Sequence, residues 1–237
     1  MKSELSALLN AVKSKDRNRT AYFDYYTERD LSVLLKHLPK KCSVLDVGGG
    51  YGRLALPLAK KGFSVTVLDP LKELLEIAEE RKLKTVKGVI EKIPFKNNSF
   101  DAVIAMRDVL NYSKNYRKGF SELVRVCRRG GIIVVSCGSI CSTPDFKRKI
   151  GRHDTGEGFS MMHFSTDNLL RLFRKAQLKV LEITGDSIIL PLLKKNAYRL
   201  LKDRRTKEEI ENVDRSLSKD INALNFFDHI MIAGKKP

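Results

Sequence analysis

The chain has few cysteines, no tryptophan and no long apolar run, and each shortage narrows the class of protein. Four cysteines in 237 residues are too few for the disulfide-rich scaffold of a small secreted domain. No apolar stretch reaches the roughly 18 residues that a membrane-spanning helix needs. The N-terminal segment carries Glu4 and repeats leucine at helical spacing, unlike a cleavable signal peptide. We therefore expect a cytoplasmic protein with no membrane span.

Acidic residues are also few, and the resulting charge raises the question of a nucleic-acid partner. The formal net charge is +17, from 45 Lys and Arg against 28 Asp and Glu. Such an excess is typical of proteins that bind nucleic acid. However, the basic residues form short separate runs that alternate with acids or apolar residues, and few aromatic rings are present for base stacking. A general basic surface is the favoured interpretation, and a nucleic-acid partner remains open.

One set of candidate metal ligands occurs, but its spacing argues against a metal site. Cys137 and Cys141 form a loose C-x-x-x-C pair, and His153 and His163 are ten residues apart. Zinc sites favour closely spaced pairs of ligands. We predict no metal, and we expect the cysteines beside predicted strands to pack as small apolar side chains.

The most informative segment is a short apolar strand that ends in a glycine-rich turn. Residues 44–47 predict a buried strand, and an amphipathic helix follows the turn. Glycines leave the backbone free to adopt positive φ and to approach a ligand closely. A dinucleotide fingerprint would need a further glycine at position 53, which is Arg53. The spacing is instead D-x-G-x-G-x-G, formed by Asp46, Gly48, Gly50 and Gly52.

Further strands follow at regular intervals. The segment VTVLDP predicts a second strand that ends at Asp69, and a helix follows it. A third strand precedes an IPF turn, a fourth begins at Phe100, and RVCRRGGIIVVS predicts a fifth after a glycine turn. This alternation of strands and helices indicates an α/β protein with a parallel sheet.

In this order, these segments resemble the class I S-adenosylmethionine-dependent methyltransferases, in particular the small-molecule, type 11-like members. The resemblance implies a Rossmann-like, doubly wound, seven-stranded sheet that is mostly parallel with the last strand antiparallel. A helical insertion would precede that final strand. S-adenosylmethionine is the implied cofactor.

The resemblance also implies which residues bind the cofactor. The glycines would hold its amino-acid tail, and Asp69 would accept hydrogen bonds from the two ribose hydroxyls. Many relatives carry an acid after the third strand, where this chain has Val89. We therefore expect the Ile90 backbone and apolar packing to hold the adenine, beside Glu91. The implied cofactor-binding residues are Tyr26, Asp46, Gly48, Gly50, Gly52, Asp69, Pro70, Ile90, Glu91 and Met106.

The chain is expected to form one domain in three parts. Residues 1–40 would be an N-terminal helical cap, 41–137 the cofactor-binding half and 138–237 the substrate-side half. Within the last part, a mobile lid is predicted after the fifth strand, and residues 188–224 predict an insertion of two helices with a capping box at Thr206 and Glu209. The insertion would cover the active site, with an apolar pocket walled by Ile188, Ile189 and Leu192, or form a homodimer surface.

Catalytic residues are harder to predict, because methyl transfer from a sulfonium needs alignment more than covalent help. Asp108 and Tyr112 directly follow the fourth strand, at the position that faces the transferable methyl group in the family. The alternative roles for these two residues are helix capping and simple exposure at the surface. His163 is the best candidate for a general base, since its ordinary pKa lies near neutrality. A histidine at a helix entrance is, however, often structural. Residues 106–112, after the fourth strand, lack the [DNS]-P-P-[YFW] sequence of nucleobase N-methyltransferases.

We therefore predict methyl transfer to a small, partly apolar metabolite by direct displacement in a dehydrated site. An RNA or protein methyltransferase is the alternative that the charge favours. Aminopropyl transfer is disfavoured, because enzymes that bind polycations use acidic residues. A catalytically inactive binding or scaffold protein is the alternative from a different class.

Overall fold

A central sheet flanked by helices makes up most of the computed structural model, which describes residues 17–140, 151–154, 160–193 and 197–237. The strands are β1 Ser43–Val47, β2 Ser64–Asp69, β3 Lys84–Lys87, β4 Phe100–Ala105, β5 Cys127–Gly138, β6 Gly151–Asp154, β7 Ser160–His163, β8 Lys179–Gly185 and β9 His229–Lys235. The helices are α1 Arg17–His37, α2 Ala55–Lys60, α3 Lys72–Glu80, α4 Val109–Tyr112, α5 Tyr116–Val126, α6 Thr166–Lys175, α7 Ile189–Leu193, α8 Ala197–Leu200 and α9 Arg204–Leu217. A short 3-10 turn spans Leu224–Phe226.

Seven strands form the sheet, in the order β3-β2-β1-β4-β5-β9-β8. Strands β1 to β5 pair in parallel, whereas β9 is antiparallel to both β5 and β8. The predicted seven-stranded, mostly parallel sheet with an antiparallel last strand is confirmed. Between β1 and β4 the order of the strands reverses, and ligands of open α/β sheets bind beyond the carboxyl ends of the strands at such a point.

Both faces of the sheet are buried, which explains why its strands are nearly continuous apolar runs. Alternate residues point to opposite faces. Val44 and Ile104 pack with α1, α2 and α3 on one face, and Leu45 and Val103 pack with α5 and α6 on the other. These two cores fix the carboxyl ends of β1, β2 and β4 at one edge of the sheet.

The insertion differs in detail from its prediction. The described residues form two short helices, α7 and α8, and one longer helix, α9, rather than two helices. The N-cap of α9 is Asp203, whose Oδ1 accepts a hydrogen bond from the Thr206 N–H at 2.8 Å. The capping box predicted at Thr206 is therefore wrong, because an acid three residues earlier caps the helix first. Ser165 caps α6 and forms a capping box with Asn168.

The segment predicted as a lid lies only partly within the described residues. There, β6 and β7 pair as an antiparallel two-stranded ribbon, with Gly151 opposite His163. The helix predicted in the first 15 residues lies outside the described ranges. Across those ranges, no helix combines the length and apolar character needed to cross a bilayer.

Candidate functional site

The turn after β1 depends on glycine at specific positions. Gly48, Gly50 and Gly52 have φ values of 68°, 53° and 82°, in the left-handed region that other residues adopt at a cost. A Cβ atom on Gly48 would lie 2.5 Å from Val109 Cγ2, and one on Gly52 would overlap Leu83. At Gly50 the nearest atom to such a Cβ is Leu74 Cδ1 at 3.4 Å. Gly50 therefore presents its backbone to open space.

Asp69, at the end of β2, joins the glycine turn to the next helix. Its Oδ2 accepts a hydrogen bond from the Gly50 N–H at 2.9 Å, and its Oδ1 accepts one from the Leu71 N–H at 2.9 Å. Burial raises the pKa of this carboxyl, although the two backbone donors oppose the rise. Because β1 and β2 are adjacent and parallel, their terminal acids lie at the same edge of the sheet.

A cavity of about 340 Å³ opens between the glycine turn, α1 and the segment after β4. Its volume lies within the usual range for small-molecule sites. The lining residues come from widely separated parts of the chain. They are Tyr26, Asp46, Gly48, Gly49, Gly50, Tyr51, Arg53, Leu54, Asp69, Leu74, Met106, Arg107, Asp108, Asp228 and His229.

Asp46 is the polar group in this cavity that most directly indicates a ligand. Its side chain is buried, and Oδ2 has no hydrogen-bond partner within the described structure. Burial raises the pKa of Asp46 to about 7, and the charge of Asp69 adds to the rise, whereas Arg53 opposes it. A buried carboxylate without a donor is costly. The site therefore fits a ligand that carries a cationic or N–H group.

Two consecutive residues after β4 have strained backbones. Arg107 and Asp108 both adopt positive φ, at 62° and 65°. Such conformations in non-glycine residues are uncommon and often occur at functional sites. The Asp108 N–H donates to the Ser136 carbonyl at 3.3 Å, and Asp108 Oδ1 accepts from the Gly138 N–H at 3.0 Å. These bonds to β5 fix the direction of the Asp108 side chain.

Arg107 connects the cavity to buried acids on two other elements. Its Nη2 donates to Asp30 Oδ1 at 2.9 Å, and its Nη1 donates to Asp186 Oδ2. Asp30, on α1, also accepts from Arg53 Nη2 at 2.7 Å. The guanidinium of Arg107 lies over the Tyr26 ring, 4.1 Å from its centroid. The charges of Asp30 and Asp186 outweigh the effect of burial and raise the pKa of Arg107.

His229 is held between carboxylates at the start of β9. Its Nε2 lies 2.9 Å from Asp108 Oδ2, and its Nδ1 lies 3.2 Å from Asp228 Oδ2 and 3.5 Å from Asp186 Oδ2. Burial alone would lower the pKa of His229, but the charges of Asp108 and Asp228 raise it well above its ordinary value. In turn, the charge of His229 overcomes burial and lowers the pKa of Asp108. These carboxylates therefore favour the protonated imidazole, whereas the neighbouring guanidinium of Arg107 opposes it.

Asp186, Asp228 and His229 also place three potential metal-ligand atoms within 4.8 Å of one another. Arg107 Nη1 already donates to Asp186 and lies 3.1 Å from Nδ1 of His229. The guanidinium thus supplies the positive charge that a metal ion would bring. Cys141, one of the four candidate metal ligands in the sequence, lies outside the described residues.

The structure brings together some of the predicted site residues and separates others. Those that line the cavity are Tyr26, Asp46, Gly48, Gly50, Asp69, Met106 and Asp108. Gly52 packs beneath the turn against Leu83, and Pro70 is exposed after β2. Ile90 is buried against Gly119 of α5, and Glu91 Oε1 accepts a hydrogen bond from Ser113 Oγ at 2.6 Å.

The remaining two catalytic candidates lie away from the cavity. His163 is buried at the end of β7, and Tyr112 is 54% exposed at the end of α4. Neither lines the cavity. Periodicity could not place them, because it gives the type of an element but not its distance from the site.

Sequence reasoning missed the charged residues that form one wall of the cavity: Arg53, Arg107, Asp228 and His229. One signal was available for the last two, since an Asp-His pair directly precedes the apolar run of the final strand. Charged residues at a strand terminus in an α/β sheet are candidates for a site.

The expected apolar pocket wall is wrong. None of Ile188, Ile189 and Leu192 lines the cavity. The Ile188 N–H donates to Asp214 at 2.9 Å, Ile189 packs in the small core around Leu190, and Leu192 is 66% exposed. The insertion instead packs its apolar residues against α1, away from the cavity.

Comparisons with known proteins agree with this geometry. Residues 45–135 match a family model described as a methyltransferase domain. A protein of Methanocaldococcus jannaschii described as uncharacterized is 33% identical over 121 residues, which cover 51% of this chain and 53% of that protein. A ubiquinone biosynthesis O-methyltransferase of Rickettsia typhi is 32% identical over 102 residues, or 40% of this chain and 41% of that protein. The chain thus spans about half the length of the curated relatives it matches, or less.

Solved structures share the fold over almost the whole chain. An S-adenosylmethionine-dependent methyltransferase of Thermotoga maritima has a TM-score of 0.63 at 17% identity, covering 97% of this chain and 98% of that one. A Haloferax volcanii methyltransferase, solved in complex with the Trm112 activator, has a TM-score of 0.67 at 19% identity, covering 99% and 96%. Residues 45–135 of this chain thus match a methyltransferase domain, and the whole chain shares its fold with solved S-adenosylmethionine-dependent methyltransferases.

Proposed function

We propose that this protein transfers a methyl group from S-adenosylmethionine to a small-molecule acceptor. One observation carries the proposal: a glycine turn and two strand-terminal acids open onto one cavity, where a buried carboxylate oxygen of Asp46 has no partner in the described structure. Small-molecule sites of this size are common in such crevices. The match to a methyltransferase domain implies the cofactor, and the cavity offers a place for it.

Several residues of the cavity are suited to the cofactor. Asp69 would accept hydrogen bonds from the ribose hydroxyls, since each of its oxygens accepts only one backbone N–H at present. The open backbone at Gly50 and the unpartnered oxygen of Asp46 would hold the amino-acid tail. When bound, S-adenosylmethionine supplies a methyl group already activated by its sulfonium.

The protein's own contribution is alignment and exclusion of water. Tyr26 and Met106 are both almost completely buried, and both line the cavity together with Arg107 and Asp108. A direct displacement is accelerated when the two reacting groups are held in line in a site without water. Turnover therefore does not require a paired base and nucleophile from the protein.

The size of the cavity and the names of two similar proteins support a small acceptor. The Thermotoga maritima protein is described as a possible histamine N-methyltransferase, and the Rickettsia typhi relative as a ubiquinone biosynthesis O-methyltransferase. The charged wall formed by Arg107, Asp108 and His229 indicates that only part of the acceptor is apolar. The net charge of +17 keeps an RNA acceptor as the second candidate.

Other aspects of the protein stay predictions. They are a single domain divided at about residues 40 and 137, a cytoplasmic location and a homodimer. Three described cysteines, Cys42, Cys127 and Cys137, are buried free thiols, which agrees with a reducing compartment.

Calorimetric titration with S-adenosylmethionine, followed by Asp69→Ala, tests the proposal. We expect binding by the parent protein and a loss of about 10-fold to 100-fold in affinity in the variant, because a bidentate charge-assisted acceptor disappears. Asp167→Ala, which removes an exposed acid in the first turn of α6, is the matched control and should bind normally. No binding by the parent protein would contradict the proposal. Binding without methyl transfer to any acceptor would favour the scaffold alternative, and affinity for RNA that falls steeply with salt would favour an RNA acceptor.

A further inference from the structure

We propose that the methyl acceptor is an amine, and that Asp108 binds it by accepting a hydrogen bond from its N–H group. His229 acts as a positioning residue that keeps Asp108 ionised and oriented. This inference rests on the proposed methyl transfer and names the class of its acceptor.

Asp108 has the geometry of a binding group. Its side chain lines the cavity and remains 21% exposed. Oδ1 accepts from the Gly138 N–H and Oδ2 faces Nε2 of His229. A carboxylate has about four lone-pair positions, so both oxygens can accept a further hydrogen bond. The two fixed partners direct the free positions toward the cavity.

The charges around the cavity favour a donor or a cation over an anion. Four carboxylates meet three cationic groups in one connected network, although the chain as a whole is strongly basic. The carboxylates are those of Asp30, Asp108, Asp186 and Asp228, and the cations are Arg53, Arg107 and His229. In a partly buried site, an acceptor that carries a carboxylate or phosphate would be repelled by this wall. An amine would be attracted.

Apart from Asp46, which is assigned to the cofactor, the described residues of the cavity include no group suited to remove a proton from the acceptor. Among the described residues that line the cavity, His229 is the only imidazole. Both of its ring nitrogens already have polar partners, Nε2 in Asp108 and Nδ1 in Asp228 and Arg107. Asp108, with its lowered pKa, is a weak base. An alcohol, whose proton is far less acidic than that of an ammonium ion, is therefore poorly served.

An amine reacts through its neutral form, so an acceptor that arrives as an ammonium ion first releases one proton to water, and no base is needed after that. The amine's nitrogen lone pair forms the N–C bond while the S–C bond breaks, and the electron pair of the broken bond stays on sulfur. The surplus proton remains on the methylated nitrogen as an ammonium ion and later passes to water. An N–H···Asp108 hydrogen bond holds the nitrogen without removing its lone pair.

Sinefungin provides a direct test, because it carries an amine where the cofactor carries its methyl sulfonium. S-adenosylhomocysteine, the product that the cofactor leaves after methyl transfer, has an uncharged sulfur and is the reference ligand for the same site. We expect sinefungin to bind at least about 10-fold more tightly than S-adenosylhomocysteine, as a charge-assisted hydrogen bond would give. Asp108→Asn should reduce this ratio to within about 2-fold, since asparagine tolerates positive φ but lacks the charge.

The controls separate binding of the acceptor group from loss of the fold. His229→Gln should lower the affinity for sinefungin more than the affinity for S-adenosylhomocysteine, a pattern that general structural damage would not produce. Asp167→Asn makes the same chemical change at an exposed position and should leave the ratio unchanged.

Turnover gives a second readout with acceptors of matched shape. With labelled cofactor, 2-phenylethylamine should be methylated faster than 2-phenylethanol or phenylacetate. Faster methylation of the alcohol or the acid would overturn the amine assignment, as would an unchanged sinefungin ratio in Asp108→Asn. Failure to bind S-adenosylhomocysteine would instead overturn the proposed function.

Discussion

Arg107 Nη2 donates a hydrogen bond to Asp30 Oδ1 across 2.9 Å, and this contact ties α1 to the strained turn after β4. Asp30 is completely buried and also accepts from Arg53 in the glycine turn. One carboxylate therefore links the three segments that surround the cavity. A buried acid with two arginine partners holds α1 against the cavity more specifically than apolar packing alone would.

Replacement of Asp30 should destabilise the fold. Asp30→Ala leaves Arg107 and Arg53 without their shared partner in a largely buried position, which costs about 3 to 5 kcal/mol in comparable cases. Urea denaturation followed by circular dichroism measures this loss. Glu76→Gln, which breaks the exposed pair of Glu76 with Lys72, is the control and should leave stability unchanged. Equal stabilities for the two variants would mean that the Asp30 network does not hold α1.

A methyl group on Gly50 should abolish cofactor binding without unfolding the protein. A Cβ atom there would enter the cavity and contact only Leu74 and Asp69, at 3.4 and 3.9 Å. Gly130→Ala is a matched control, because Gly130 also has positive φ and no atom lies within 4 Å of its added Cβ. Both variants should lose about 1 to 2 kcal/mol of stability. Calorimetry should show lost affinity in Gly50→Ala alone; equal affinities would place the cofactor elsewhere.

Gly52→Ala should fail for a different reason. The added Cβ would overlap Leu83, which is buried beneath the turn, and φ at this position is 82°. Steric overlap and left-handed strain together should cost about 2 to 4 kcal/mol. The double variant Gly52→Ala with Leu83→Ala tests this cause, since it removes the overlapping side chain. A double variant less stable than the sum of the two single changes would contradict the steric explanation.

The raised pKa of Asp46 predicts a pH-dependent stability. The folded state holds a proton on Asp46 up to about pH 7, whereas an ordinary aspartate loses it near 3.8. Between these values the folded state binds more protons, so the free energy of unfolding falls as pH rises and levels off above about 7. The loss is on the order of 4 kcal/mol. Denaturation from pH 4 to 8 should show this slope in the parent protein and a flatter one in Asp46→Asn.

Cofactor binding should reverse the preference of Asp46 for its proton. A cationic ligand group beside the unpartnered oxygen stabilises the carboxylate and lowers its pKa. Affinity for S-adenosylmethionine should therefore rise with pH toward about 7, with release of a proton on binding. Titrations in two buffers with different ionisation enthalpies measure that proton. An affinity independent of pH in the parent protein would contradict the assignment of Asp46 to the cofactor.

The strand at residues 44–47 and the glycine turn could be recognised from the sequence because their signal is local. Apolar runs of strand length and glycines at D-x-G-x-G-x-G spacing predict both the elements and their connection. The seven-stranded sheet followed from the resemblance that these residues carry, and its antiparallel last strand is as expected. Errors arose where neighbouring signals compete, as at Asp203, which caps α9 in place of Thr206.

The sequence by itself determined the α/β class, the glycine turn and the acids Asp46 and Asp69, because each is written in the short-range order of the chain. Only the tertiary structure decided that His229 faces Asp108 from 121 residues away and that Asp30 reaches Arg107. The physical reason is that burial and charge pairing depend on which strand ends meet at the sheet edge. No local pattern records how far an acid on α1 will lie from an arginine after β4.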